Sequence, residues 1–262
     1  MSQQPSALLQ ALHQLALEAG HAIMAVYDQP IAVEHKADQS PLTAADRAAH
    51  AVIAAGLARL SPELPLLSEE GAEIPWAERS QWQRFWLVDP LDGTKEFIKR
   101  NGEFTVNIAL IDHGQPLLGV VYAPALGFGY LSEVGVGAWR VDDAGLSAIS
   151  PRALAEPWQV VGSRSHAGAE VEAFCARLPA HELVAMGSSL KICLVADGRA
   201  DLYPRLGPTM AWDTAAAHAV LVAAGGLVVD AASRQPLRYN QQDSLLNPHF
   251  LAASPAALAA LA

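Results

Sequence analysis

The sequence predicts an α/β protein, with an α+β N-terminal half and an α/β C-terminal half. Three patterns carry this. Two stretches near the N-terminus repeat apolar residues at helical spacing. A middle stretch holds short apolar runs separated by glycine turns. After Pro151, apolar runs alternate with helical segments, the pattern of strands layered against helices.

Ser6 to Tyr27 is the first predicted helix, because Leu8, Leu12, Leu15, Ala19, Ile23 and Val26 recur three and four residues apart. Thr43 to Leu60 is the second, with Ala49, Val52, Ile53 and Leu57 on one face, stopped by Pro62 and Pro65. Leu64 to Leu67 and Phe85 to Val88 are apolar runs suited to strands. Phe104 to Ile111 and Pro116 to Tyr122 form a strand pair joined at Asp112-His113-Gly114-Gln115. Gly127 to Leu131 and Gly137 to Val141 extend an antiparallel sheet with the two helices on one face. Beyond a compositional break at Ser147 to Pro157, which divides the chain into residues 1–150 and 151–262, strands are predicted at Trp158 to Gly162, Leu183 to Met186, Asp201 to Tyr203 and Leu227 to Asp230. Helices are predicted at Ala167 to Leu178, Ser189 to Ala196 and about Asp213 to Ala224. The Ala-rich stretch from Pro255 to Ala262 reads as a weak helix or a frayed tail.

Composition narrows the function. Hydrophobic residues are 52% and charged residues 17% of the 262, which suits a globular chain and not a disordered one. With 27 acidic against 17 basic residues the formal net charge is -10, which argues against non-specific nucleic-acid binding. Small anionic substrates stay open, because a bound cation reverses the local field. The two cysteines, Cys175 and Cys193, lack metal-ligand spacing and read as buried thiols in a reducing cytoplasm. No leader pattern and no apolar run of membrane-spanning length is visible. The expected location is cytoplasmic, compatible with peripheral attachment to the cytoplasmic face of an inner membrane.

The strongest local feature is Asp89-Pro90-Leu91-Asp92-Gly93-Thr94, directly after an apolar strand. Two carboxylates and the Leu91 carbonyl offer oxygen ligands for a hard cation, while Gly93 permits a sharp turn. An acidic turn is the alternative. An EF-hand loop fails, because its third, fifth and sixth positions hold Leu91, Gly93 and Thr94. A haloacid-dehalogenase site fails too, since its aspartates are two apart and these are three apart. Glu69 and Glu70 sit at another strand end, and adjacent residues on an extended chain point to opposite sides, so one of them faces a given site. Asp46 follows Thr43 in the pattern of a capping box, and Asp213 lies near a helix start, so each has a plain capping alternative.

Taken in order, Asp46, Glu69-Glu70, Asp89-Pro-Leu-Asp-Gly-Thr94, Trp212-Asp213 and Gly225-Gly226 resemble the lithium-sensitive, magnesium-dependent phosphatases that include inositol monophosphatase and fructose-1,6-bisphosphatase. The stretch Lys95 to Asn107, with Gly187-Ser188-Ser189-Leu190-Lys191 and Asp201-Leu202-Tyr203-Pro204-Arg205, is similar to the bacterial CysQ-type 3'(2'),5'-bisphosphate nucleotidases within that family. The resemblance runs from the first helix to about Phe250. It implies a layered αβαβα sandwich, in a monomer or weak homodimer. The implied reaction is hydrolysis of adenosine 3',5'-bisphosphate, a by-product of sulfate activation, to AMP and phosphate.

The resemblance also assigns roles. One Mg²⁺ would be held by Glu69, Asp89 and the Leu91 carbonyl, a second by Asp89, Asp92 and Asp213, and a weaker third near Glu69. Thr94, served by Asp46, would orient or deprotonate the attacking water, with Glu70 acting through a water. Glu69, Leu91, Asp92, Gly93, Thr94 and Asp213 would face the substrate phosphate. Gly187-Ser188-Ser189 reads as a helix start whose free N–H groups and hydroxyls meet an anion. Lys191 and Arg205, assisted by Lys95 and Lys99, would hold the phosphate that is not cleaved, and His166 would approach the nucleotide.

Overall fold

The hydroxyl of Ser6 accepts the Leu9 N–H and starts α1 (Ala7–Tyr27), which buries Leu9, Leu12, Leu15, Ala19 and Ile23 on one face. After β1 (Val33–His35) and its antiparallel partner β2 (Pro41–Thr43), α2 (Ala44–Leu60) packs along α1. This computed structural model describes residues 4–29, 33–35, 41–163 and 169–261. Next come β3 (Leu66–Ser68), α3 (Trp76–Arg79), β4 (Arg84–Asp92), α4 (Thr94–Ile98), β5 (Thr105–Asp112), β6 (Gln115–Ala123), β7 (Phe128–Glu133), β8 (Gly137–Asp142) and β9 (Gly145–Ala148). The seven strands β3 to β9 form one sheet in sequence order, antiparallel throughout except for the β3–β4 pair.

The chain then changes sheets. A five-stranded sheet has the order β11 (His181–Met186), β10 (Trp158–Ser163), β12 (Leu202–Arg205), β14 (Phe250–Ala253), β13 (Leu227–Asp230). β10 runs parallel to β11 and β12, whereas β14 is antiparallel to both its neighbours. The helices here are α5 (Ala169–Cys175), α6 (Leu190–Ala196), α7 (Ala211–Ala223) and α8 (Pro255–Ala260).

The alternation of side chains shows the layers. On β4 and β5, Trp86, Val88, Val106, Ile108 and Leu110 pack with α1 and α2. Their neighbours Phe85, Leu87, Ala109 and Ile111 pack with α6 and α7 on the opposite face. Trp158, Val160, Leu202 and Leu251 meet α5 and α8 on the far side of the second sheet. The order is helix pair, seven-stranded sheet, α6–α7 layer, five-stranded sheet, outer helices, which is the αβαβα sandwich expected. Among the described residues no helix is long and apolar enough to cross a membrane. Both cysteines are buried free thiols, as read from the sequence.

The helix reading of the C-terminal stretch holds, a strand precedes it, and two helix boundaries change. Residues 250–253 form an interior strand of the second sheet, and the stretch after them is the short helix α8, capped by Ser254. The helix expected from Ala167 to Leu178 ends at Cys175, its first two residues lying outside the described residues, and α7 begins at Ala211 rather than at Asp213.

Gly119 fixes how closely α7 approaches the first sheet. A Cβ there would lie 2.3 Å from the Ala216 carbonyl oxygen and 2.7 Å from the Ala219 Cβ. Gly119→Val is therefore expected to lower stability by about 1–3 kcal/mol or more through overpacking, read from urea unfolding. An unchanged midpoint would show that α7 is not held at this distance.

Candidate active site

Asp89 and Asp92 are three residues apart, which on a regular strand puts them on opposite faces. β4 avoids this with a bulge. Asp89 pairs with Asn107 and Asp92 with Thr105, so three steps on β4 match two on β5. Leu91 confirms the shift: its parity matches Phe85 and Leu87, yet it is buried with α1 and α2. Both carboxylates thus face the α6–α7 layer. The Leu91 N–H donates to Asp89 Oδ1 at 3.0 Å and braces the bulge. Gly93 then turns the chain at φ 92°, a left-handed conformation that favours glycine, into α4.

Glu69 follows β3, which pairs in parallel with β4, and its N–H donates to the Val88 carbonyl, so it stands beside Asp89. Asp213 occupies the third position of α7, where its Oδ2 accepts the Met210 N–H at 2.9 Å. Carboxylate oxygens of Glu69, Asp89 and Asp213 all lie within 4.8 Å of one another. Burial, then Glu69, Asp92 and Asp213, push the Asp89 carboxyl well above the usual range. Burial, then Asp92, push Asp213 up to about 8. Asp92 rises to about 6 through burial, against the opposing pull of Lys191 and the Ser189 N–H. An all-oxygen, anionic set that repels itself this strongly fits a hard divalent cation.

Asp46 takes both roles its sequence position allowed. Its Oδ2 accepts the Thr43 N–H and hydroxyl at 2.7 and 2.6 Å, closing the helix cap. Its Oδ1 accepts the Thr94 hydroxyl at 3.4 Å. Burial raises its pKa, and the nearby negative charge of Glu70 adds to that.

A cavity of about 480 Å³ opens beside Asp92 and Asp213. Lys95, Lys99, Lys191 and Arg205 line it, so four cations surround one hollow in an acidic chain. Ser188 and Gly93 line it too. The Lys191 ammonium lies 5.8 Å from the Tyr203 ring centroid, and burial lowers its pKa. The Arg205 guanidinium donates to the Pro208 carbonyl at 2.6 Å. The expected free N–H groups at the start of α6 are a correction. The Gly187 N–H donates to Glu103 at 2.8 Å and the Ser189 N–H to Asp92 at 2.5 Å, so carboxylates of this chain occupy them. His166 lies outside the described residues.

The inositol monophosphatase family pattern matches residues 4–262. The chain belongs to this family. It is 56% identical to the 3'(2'),5'-bisphosphate nucleotidase CysQ of Shigella flexneri over 245 residues, covering 93% of this chain and 98% of that protein. It superposes on CysQ from Bacteroides thetaiotaomicron with a TM-score of 0.84 and 42% identity, over 94% of this chain and 96% of that one. An inositol monophosphatase from Anabaena superposes with a TM-score of 0.74 at 26% identity, over 94% and 89%.

Sequence reasoning about this family member missed the polar residues behind the carboxylates. Thr105 and Asn107 are fully buried on β5, His50 meets Ser68 beside Glu69 at 3.0 Å, and Glu103 anchors Gly187. The signal for the first two was available: polar residues two apart within an otherwise apolar strand share one face.

Carboxyls whose folded pKa exceeds their unfolded value bind more protons in the native state, so stability falls as pH rises between the two values. The metal-stripped protein is therefore expected to lose melting temperature from about pH 4 to about pH 8, the span set by Asp92 and Asp213, and to regain it with Mg²⁺. Thermal scans across that range check this; a melting point that rises with pH would remove the electrostatic account.

Proposed function

We propose that this chain is a phosphatase of 3'(2'),5'-bisphosphorylated nucleosides, converting adenosine 3',5'-bisphosphate to AMP and phosphate. The observation that carries this is one cavity lined both by Asp92 and Asp213 of the carboxylate cluster and by Lys95, Lys99, Lys191 and Arg205. A monophosphate needs only the first; a substrate with a second phosphate uses both. The names of the CysQ relatives support the same reading.

Residues 1–150 supply most of the metal seat, and residues 151–262 supply Asp213 and the phosphate contacts. Glu69, Asp89 and the Leu91 carbonyl would hold one Mg²⁺, Asp89, Asp92 and Asp213 a second, and Glu69 would help hold a weaker third. Metal dependence is typical of the family. Bound there, the ions would supply Lewis acidity toward the phosphoryl oxygens and acidify water. The Thr94 hydroxyl donates its proton to Asp46 Oδ1, which leaves its oxygen lone pairs to accept a hydrogen from water and aim it at phosphorus. Asp46, raised by burial, takes up the proton passed through Thr94. Glu70, near Asp46, acts through a bridging water. Lys191 and Arg205 bind the phosphate that stays. Two buried free thiols suit a reducing, cytoplasmic setting, and the chain is read as a monomer or weak homodimer.

Phosphate release from adenosine 3',5'-bisphosphate, inositol monophosphate and fructose 1,6-bisphosphate, each with Mg²⁺, tests the substrate class. The nucleotide is expected to be turned over best, and faster release from inositol monophosphate would overturn the reading. Asp89→Asn is expected to abolish turnover while raising the melting point of the metal-free protein, because it removes a buried, repelled charge. Lys191→Ala is expected to raise KM for the bisphosphate about tenfold to a hundredfold, with a smaller change in kcat. Equal losses on mono- and bisphosphates in steady-state assays would place Lys191 at the scissile phosphate instead.

A further inference from the structure

A chain of buried hydrogen bonds ends on Asp92. Thr105, Asn107 and Ser189 are 0%, 1% and 4% exposed, and the bulge sets both β5 residues on the same face as the aspartates. The Ser189 hydroxyl donates to Asn107 Oδ1 at 2.8 Å. That uses its only proton, so at the 2.9 Å contact between Thr105 and Ser189 the Thr105 hydroxyl is the donor. With Asn107 Oδ1 engaged, the amide presents its Nδ2 to Asp92 Oδ2 at 3.5 Å. Turned over, it would set an oxygen against a carboxylate. The Ser189 N–H meets the same Oδ2 at 2.5 Å. Every proton in the chain points toward Asp92, and both final donors converge on one of its oxygens. Thr105 and Asn107 come from the first sheet and Ser189 from the start of α6, so the chain also joins the two halves.

We propose that Thr105, Ser189 and Asn107 are positioning residues that hold the Asp92 carboxylate in the orientation needed for cation binding. This tethers one metal ligand of the first half to the seating of α6 in the second. The inference rests on Asp92 being a ligand, as proposed above. Outer partners of this kind commonly tune metal affinity or activity about tenfold to a hundredfold.

The test is Mn²⁺ binding to the metal-stripped full chain, followed by electron paramagnetic resonance and calorimetry, with melting temperature measured alongside. Ser189→Ala removes the hydroxyl and keeps the N–H. It is expected to weaken Mn²⁺ binding at one site about tenfold, and to raise the Mg²⁺ concentration for half-maximal activity by a similar factor. Thr105→Val keeps the shape and loses the hydroxyl, whereas Thr105→Ser keeps the hydroxyl and loses a methyl. Weaker Mn²⁺ binding in the valine variant, with near-normal binding in the serine variant, supports the proposal even where Ser189→Ala fails to fold. The reverse order, or a lower melting point with unchanged Mn²⁺ affinity, reduces these residues to packing and overturns it. Asp92→Asn is the control: if it leaves both Mn²⁺ sites intact, the assignment of Asp92 as a ligand fails instead.

Discussion

One extra residue in β4 is the constraint on which the site depends. Without the bulge between Asp89 and Asp92, one aspartate would face the α6–α7 layer and the other would be driven among the apolar side chains under α1 and α2. With it, Leu91 fills the apolar side and both acids face the same hollow. The Leu91 carbonyl, the Gly93 turn and the start of α4 at Thr94 all follow from that one irregularity, because each is placed by the residue before it. A metal seat built on a sheet in this way inherits the rigidity of the strands on either side of β4.

The second theme is charge. The chain is acidic overall, and three of its acids gather around the buried Asp89. Desolvation and mutual repulsion act in the same direction on Asp89, Asp92 and Asp213, a cost that a divalent ion held among them would relieve. The cations of the cavity stand next to this cluster and partly offset it, as Lys191 does for Asp92. Such a gradient of potential orients an anionic ligand before contact.

Much of this was legible in the sequence, and the boundary of what was legible has physical causes. Helical periodicity revealed α1 and α2 to within a residue, because one apolar stripe faces the sheet. Each of the four acidic segments had an ordinary reading as a turn or a cap, and they became legible together, through the order and spacing they share with the family. Local patterns did not give the partners that long-range packing brings together. Asp92 meets the Ser189 N–H across the two halves, so the N–H groups of the Gly187–Ser189 turn looked free until the carboxylates that occupy them were placed. Asp46 read from its own position as a helix cap, and only the family resemblance offered it to Thr94; its two oxygens make both contacts. The strand at 250–253 was hidden by its composition: Phe-Leu-Ala-Ala next to an Ala-rich helix carries no alternation when both faces are covered.

That strand bears on how the protein is made. β14 inserts between β12 and β13, so the sheet behind the cavity has a gap until residues 250–253 arrive. A ribosome delivers the chain from its N-terminus, so those residues follow every other described strand. Throughout elongation, β12 and β13 carry open edges toward each other, each a template for the wrong partner. The nascent chain therefore holds the site carboxylates, from Asp46 to Asp213, before the strand that completes the second sheet is made. Making the ligand residues and completing the sheet behind them are thus separate events, ordered by the place of β14 after β12 and β13 in the sequence.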